Sequence, residues 1–172
     1  VGGSLVRLRG EAFDHVPGAG SRGVIRGFSR GSRSRLMRFL SSVDQSRSGV
    51  PLFLTLTYPR AWPEDPREWK KHLQVWHARL RRSYPSAWTV WRLEPQRRGA
   101  PHFHLLVFGV GRIEAEWLSR SWYEVVGSGD PRHLRAGTQV QVSRSWGRVM
   151  AYASKYLAKN PELLPETWSS GV

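Results

Sequence analysis

The sequence predicts an α+β domain, a central and mainly antiparallel sheet flanked by helices. Three observations carry that expectation. Four short β-rich runs (residues 51–59, 87–95, 101–109 and 138–143) are bounded by proline, glycine or serine. The second and third are joined by QRRGA, whose Gly99 marks a tight hairpin. Segments with apolar residues at helical spacing alternate with these runs, and hairpin-joined strands with interspersed helices make an antiparallel sheet.

In chain order, residues 1–28 are rich in Gly and Arg, and VGGSLVRLRG and GVIRGFS are each expected to hold a short strand. SRGSRSRLMRFLSSVD reads as a helix because Leu36, Leu40 and Val43 recur at helical spacing. Arg30, Arg33, Arg35 and Arg38 crowd its start. Positive charge there opposes the helix dipole, a cost an external anion would relieve. PLFLTLTYP is a buried strand ended by proline. DPREWKKHLQVWHARLRR is the clearest helix: Asp65 caps it, Pro66 takes its first position, Glu68 completes a capping box, and Trp69, Leu73, Trp76 and Leu80 form one apolar stripe.

AWTVWRLEP and PHFHLLVFG are the hairpin strands. GRIEAEWLSRSWYEVVG is a helix stopped by Gly127, SGDPRHLRAG a loop, and TQVQVS an alternating strand. WGRVMAYASKYLAKN is the last helix, ended by Asn160 and Pro161. The order of elements is nearest to the β-α-β-β-α-β arrangement of ferredoxin-like folds. A length of 172 residues suits one domain over 1–172, with 161–172 as a tail.

The formal net charge is +14, from 27 basic and 13 acidic side chains. Such a field attracts polyanions, and nucleic acid is the expected partner. No run approaches the ~18 apolar residues of a membrane span, and no signal peptide opens the chain. With no cysteine, disulfides and thiolate metal sites are excluded. These features fit an intracellular protein.

Strand residues two apart share a face, so His102 and His104 in PHFHLLVF stand side by side. Glu94 shares a face with Arg92 and Trp88 on the preceding strand. A turn at Arg98–Gly99 brings Glu94 nearly opposite His102 or His104, where cross-strand Cβ atoms are roughly 4.5–5.5 Å apart. Two imidazoles and a carboxylate then converge, a donor set suited to Mg²⁺ or Mn²⁺, with Zn²⁺ or Co²⁺ as substitutes. Alone, a His-x-His pair is as well explained by chance, and the trio also matches a non-haem iron site; that reading leaves the charge and the tyrosines unexplained. His15, His72, His77 and His133 are scattered and read as non-functional, with His72 and His77 on the polar side of their helix.

The chain has only four lysines, Lys70, Lys71, Lys155 and Lys159, and two of them follow tyrosines by three residues in AYASKYLAK. On a helical wheel Val149, Met150, Ala153 and Leu157 face the sheet. Tyr152 and Tyr156 border that stripe, and Lys155 and Lys159 border the tyrosines. Core filler with snorkelling lysines is the bland reading. The chemical reading is that a phenol of pKa about 10 becomes a nucleophile beside an ammonium and a metal-held phosphate.

Taken together, FLTLTYP, EPQRRGAPHFHLLVF and AYASKYLAK resemble, in order, the three motifs of the HUH endonucleases, and among them the rolling-circle replication initiators of plasmids and phages. The resemblance covers roughly residues 22 to 160. It implies a ferredoxin-like or RNA-recognition-like sheet, Glu94, His102 and His104 as metal ligands, and Tyr152 and Tyr156 as nucleophiles served by Lys155 and Lys159. It further implies metal-dependent nicking and joining of single-stranded or hairpin DNA at a replication origin through a covalent 5′-phosphotyrosine. Origin DNA is the expected partner, with a host helicase as a candidate second one, and the cytoplasm of a bacterial or archaeal host the expected place.

Paired tyrosines favour two-tyrosine initiators, although single-tyrosine initiators also carry Tyr-x-x-Lys, with Tyr152 as the match. Relaxases place the tyrosine before the histidines, unlike this chain. Small HUH transposases share this order but usually carry one tyrosine. A non-catalytic RNA- or DNA-binding sheet and a nuclease that uses water are the other readings. Arg30, Arg33, Arg35 and Arg38 are the first candidates for phosphate contacts, with Arg97 and Arg98 in the hairpin turn after them. Trp69 and Trp76 read as core, and Trp62, Trp122 and Trp146 as candidate base-stacking rings.

Overall fold

The computed structural model describes residues 30–143 and 145–157, without the side chains of Ser32, Tyr156 and Leu157. The strands expected before residue 29, His15, Lys159 and the end of the last helix lie outside the described residues. The elements are α1 (Arg30–Ser41), α2 (Gln45–Ser48), β1 (Leu52–Thr57), α3 (Pro66–Ser83), β2 (Trp88–Pro95), β3 (Pro101–Phe108), α4 (Ala115–Val125), α5 (Pro131–Ala136), β4 (Thr138–Val142) and α6 (Trp146–Tyr152), which runs into a π-helical turn, Ala153–Leu157.

The four strands form one sheet in the order β2-β3-β1-β4, every neighbouring pair antiparallel. With α3 between β1 and β2 and α4 between β3 and β4, this is the strand order of the ferredoxin-like template. The central strands β1 and β3 read as near-continuous apolar runs because helices cover both of their faces. On one face Leu52, Leu54, Leu56, Phe103, Leu105 and Val107 pack against Trp69, Trp76, Leu80, Leu118 and Trp122. On the other, Phe53, Leu106 and Phe108 pack against Leu40, Val149 and Ala153. The second core covers only the Phe53–Phe108 end of that face. The Thr57–His102 end carries polar side chains, and the site lies there.

Local chemistry sets the ends of the elements. Asp65 caps α3 by accepting from the Arg67 N–H at 2.9 Å, with Pro66 in the first turn. Glu68, expected to close a capping box, lies 3.5 Å from Lys71 Nζ. The β2–β3 loop closes with Gln96 N–H to Ala100 O at 2.9 Å and Gly99 N–H to Gln96 O at 2.8 Å; Gly99 has φ +80°, a conformation glycine adopts without strain. That turn sets the register Glu94↔His102 and Arg92↔His104.

Four expectations need correction. SGDPRHLRAG is not all loop: Asp130 caps α5 by accepting from the Arg132 N–H at 2.8 Å, and Pro131 takes its first turn. The helix expected from residue 111 begins at Ala115. The first helix, expected to run to Asp44, ends at Ser41, and Asp44 caps a short α2 by accepting from Ser46 and Arg47. The final helix is α only to Tyr152, and the next turn is π. A π turn takes in one extra residue, and side-chain propensities do not separate it from α.

Candidate active site

The site sits at the polar end of the sheet, under the C-terminal end of α6. Two-residue spacing on β3 puts His102 and His104 on one face, ring centroids 4.4 Å apart. Thr57, opposite His102 on β1, places its Oγ1 2.9 Å from His102 Nδ1, and Gln96 Nε2 is 3.4 Å from the same nitrogen. Burial pushes His102 down to about 4, with His104 and Arg98 adding to the effect and Glu94 opposing it. The ring is therefore neutral near pH 7, the form that ligates metals.

Glu94 lies directly across from His102, and its carboxylate reaches diagonally to His104, Oε2 to Nε2 3.4 Å. Its other oxygen is 3.3 Å from Nε of the buried Arg92. Among the described residues, no three His, Cys, Asp or Glu side chains are gathered as a group that could hold a metal ion as placed. The donor chemistry fits a divalent ion nonetheless. Donors each ~2.0–2.2 Å from one ion sit roughly 3 Å apart, close to the Glu94–His104 separation. Hydrogen bonds at both Nδ1 atoms are the outer contacts that orient metal-binding imidazoles.

Tyr152 completes the site. Its ring stacks on Phe53 at 4.1 Å and 14°, and its hydroxyl is 3.1 Å from His104 Nδ1. Phe53, Thr55, His102, His104, Gln139, Gln141 and Tyr152 line a cavity of about 220 Å³. Four of these residues were not singled out in the sequence. Phe53 and Thr55 lie on the same alternate positions of β1 as Thr57, and Gln139 and Gln141 are the alternate positions of β4, so strand alternation carried the signal once β1 was known to pair with both β3 and β4.

Other predicted residues fall around this centre. Lys155 is exposed on the π turn, and Tyr156 belongs to the same turn. Arg30, Arg35 and Arg38 are exposed on α1, whose first turn holds no acidic residue. Arg33 is half-buried, and its charge adds to the burial that lowers the pKa of Arg92. Arg97 is exposed at the turn. Arg98 clamps the loop after β1, donating to the carbonyls of Tyr58 (2.6 Å) and Pro59 (2.9 Å), and its Nε donates to Gln96 Oε1 at 3.0 Å.

Among the described residues, His72, His77 and His133 each meet a partner within the fold, and the first two are less polar in setting than expected. His72 meets the Tyr58 hydroxyl at 2.9 Å, and His77 meets Thr89 Oγ1 at 3.0 Å. His133 Nε2 lies 2.7 Å from the Thr57 carbonyl, which also accepts from Trp122 Nε1 at 2.8 Å. Trp122 is wholly buried and Trp146 packs against the second core, so of the three candidate stacking rings Trp62 stands apart, beside an open cavity.

A four-stranded antiparallel α+β domain with two imidazoles, a carboxylate and a phenol on one sheet face is the class that fold and site define. The family model described as replication-associated protein ORF2/G2P matches residues 51–161, a span that runs from β1 past the tyrosine turn. The chain belongs to that family. A protein of Xylella fastidiosa (strain 9a5c), named as a replication protein, is 34% identical over 159 residues, 86% of this chain and 54% of its own length. The replication-associated protein G2P of Pseudomonas phage Pf3 is 32% identical over 170 residues, 90% of this chain and 59% of its own. The chain thus spans between half and two thirds of the length of these relatives. No solved structure matches it.

Proposed function

We propose that this domain is the nicking and joining endonuclease of a rolling-circle replication initiator of the HUH type. The observation that carries the reading is the Tyr152 hydroxyl, held 3.1 Å from His104 Nδ1 in a cavity shared with His102. A phenol stacked on Phe53 and aimed at a candidate metal-binding imidazole is poor core filler and a well-placed nucleophile. The naming of the relatives for replication supports the same reading.

Glu94, His102 and His104 would hold the ion, Mg²⁺ or Mn²⁺. When bound, it polarises the scissile phosphate as a Lewis acid. The residues of the chain do the rest. Tyr152 gives its phenolic proton to solvent water, its oxygen bonds to phosphorus, and the bond from phosphorus to the 3′ oxygen breaks. The 5′ end stays on the tyrosine and the 3′ oxygen leaves with a proton, for which Lys155 is the proposed donor. With its proton on Nδ1, His104 donates to the Tyr152 oxygen and stabilises the phenolate. Tyr156, paired with Lys159, is the proposed second nucleophile.

The test is incubation of the protein with a single-stranded oligonucleotide library and Mn²⁺, followed by a denaturing gel. A covalent protein–DNA band, mapped by peptide mass spectrometry to Tyr152 or Tyr156, is the expected result. Cleavage without a protein–DNA bond would mean that water is the nucleophile. Binding without cleavage would leave a non-catalytic nucleic-acid-binding domain.

A further inference from the structure

A second cavity, of about 640 Å³, opens between the loop that follows β1 and the β2–β3 turn. Its walls include Arg60, Trp62, Glu64, Trp69 and Arg98. That volume lies within the roughly 300–1,000 Å³ of small-ligand sites. The cavity is built rather than incidental. Trp69 is buried, and its Nε1 donates to the Pro63 carbonyl at 2.6 Å, fixing the loop from below. Trp62 packs against the main core, and the Arg98 guanidinium carbon lies 5.0 Å from its ring centroid. Arg98 is itself fixed by the carbonyls of Tyr58 and Pro59. Two planar groups, indole and guanidinium, are thus held rigidly at the mouth of an open space.

The cavity is connected to the site. Arg98 Nε donates to Gln96 Oε1, and Gln96 Nε2 lies 3.4 Å from His102 Nδ1. One side chain therefore stands between the cavity wall and a candidate metal ligand. The charges on the wall indicate what fits. Arg60 suits a phosphate at the rim, but the Glu64 carboxylate would repel one inside. A carboxylate accepts from the exocyclic amine of a base, and planar groups stack on its face.

We infer that this cavity holds one unpaired nucleobase of the DNA strand, stacked on Trp62 and facing Glu64, next to the phosphate that is cut. The inference rests on the proposed DNA substrate, but its test needs no cleavage. Fluorescence anisotropy would measure the affinity of the protein for a labelled 12-nucleotide oligo(dC) and for an abasic deoxyribose-phosphate chain of the same length. Trp62→Ala is expected to weaken oligo(dC) binding roughly tenfold. Trp62→Phe keeps most of that affinity, and the abasic chain binds both variants as it binds the wild type. Equal oligo(dC) affinity for wild type and Trp62→Ala would overturn the inference.

If Trp62→Ala fails to fold, photocrosslinking of the wild type to an oligonucleotide bearing 5-iodocytosine takes its place. Linkage within residues 60–64 supports the site, and linkage only elsewhere overturns it. Tighter binding of oligo(C) RNA than of oligo(dC) overturns the DNA assignment. A protein that binds through Trp62 yet never forms an adduct keeps the base site and loses the nuclease reading. An adduct-forming protein indifferent to Trp62 does the reverse.

Discussion

The phenol of Tyr152 is held from two sides, its ring on Phe53 and its hydroxyl on His104. Removing the hydroxyl leaves the stack and takes away the proposed nucleophile. Tyr152→Phe is therefore expected to fold normally and to lose the initial DNA adduct, read as the shifted band on a denaturing gel. Tyr156→Phe is expected to keep that first band and to be impaired in the second transfer. An unchanged first band in Tyr152→Phe would move the chemistry elsewhere. His102→Ala, like EDTA, is expected to abolish cleavage while DNA affinity stays near wild type, because affinity rests on phosphate contacts. Cleavage at the wild-type rate in His102→Ala or in EDTA would sink the ligand assignment.

His77 meets Thr89 on the opposite sheet face and makes stability depend on pH. Burial, with help from Arg81, pushes this ring down to about 4 from its ordinary 6.5. Between those values the unfolded chain binds a proton that the folded chain refuses, so stability falls as pH drops through that window. Thermal melts from pH 7 to 4.5 should show it, and His77→Gln should flatten the dependence. An identical slope in the variant would assign the acid sensitivity to other groups.

At the scale of elements, α5 shows how a short helix fixes the site from behind. It seats His133 against the Thr57 carbonyl, and Thr57 is the residue that holds His102. The helix ends at Gly137, where an added Cβ would fall on the His133 ring and backbone carbonyl. Gly137→Ala is therefore expected to destabilise by about 1–3 kcal/mol, the usual range for overpacking, measurable by urea denaturation. A variant as stable as wild type would show that α5 moves aside freely. Asp130, Pro131 and Gly137 spell out this helix in sequence, but its six residues are too few for hydrophobic periodicity to register.

The strands and α3 were legible because period-2 and period-3.6 patterns reflect burial directly. The hairpin was legible because Gly99 fixes the turn and so the Glu94–His102 register. What could not be read were contacts between distant segments: Phe53 under Tyr152, the glutamines of β4 lining the cavity, and Arg98 donating to the carbonyls of the loop after β1. Each depends on which strand neighbours which, and no local pattern encodes that.

At the scale of the whole molecule, charge is the dominant feature. The chain carries a net +14, which already counts the acidic partners of exposed ion pairs such as Arg120–Glu116 and Arg112–Glu114. Arg30, Arg35 and Arg38 are exposed on α1, whose Leu40 packs into the core on the same sheet face as the His–Tyr site. A single strand whose phosphate reaches Tyr152 would pass this helix. Each phosphate neutralised should steepen the salt dependence of single-strand affinity by a slope of about 0.7 in log–log terms. Replacing Arg35 and Arg38 with Gln is therefore expected to flatten the slope by up to about 1.4 while leaving the melting temperature nearly unchanged, because both side chains are exposed. As a control, Arg132→Gln neutralises an equally exposed arginine on α5, behind the sheet, and should leave the slope as it was. Titrating a labelled oligonucleotide from about 50 to 200 mM salt resolves the difference, since several phosphate contacts change affinity by orders of magnitude over that range. Equal slopes for the α1 double variant and the wild type would mean that the strand approaches by another path and that the arginines of α1 only decorate the surface.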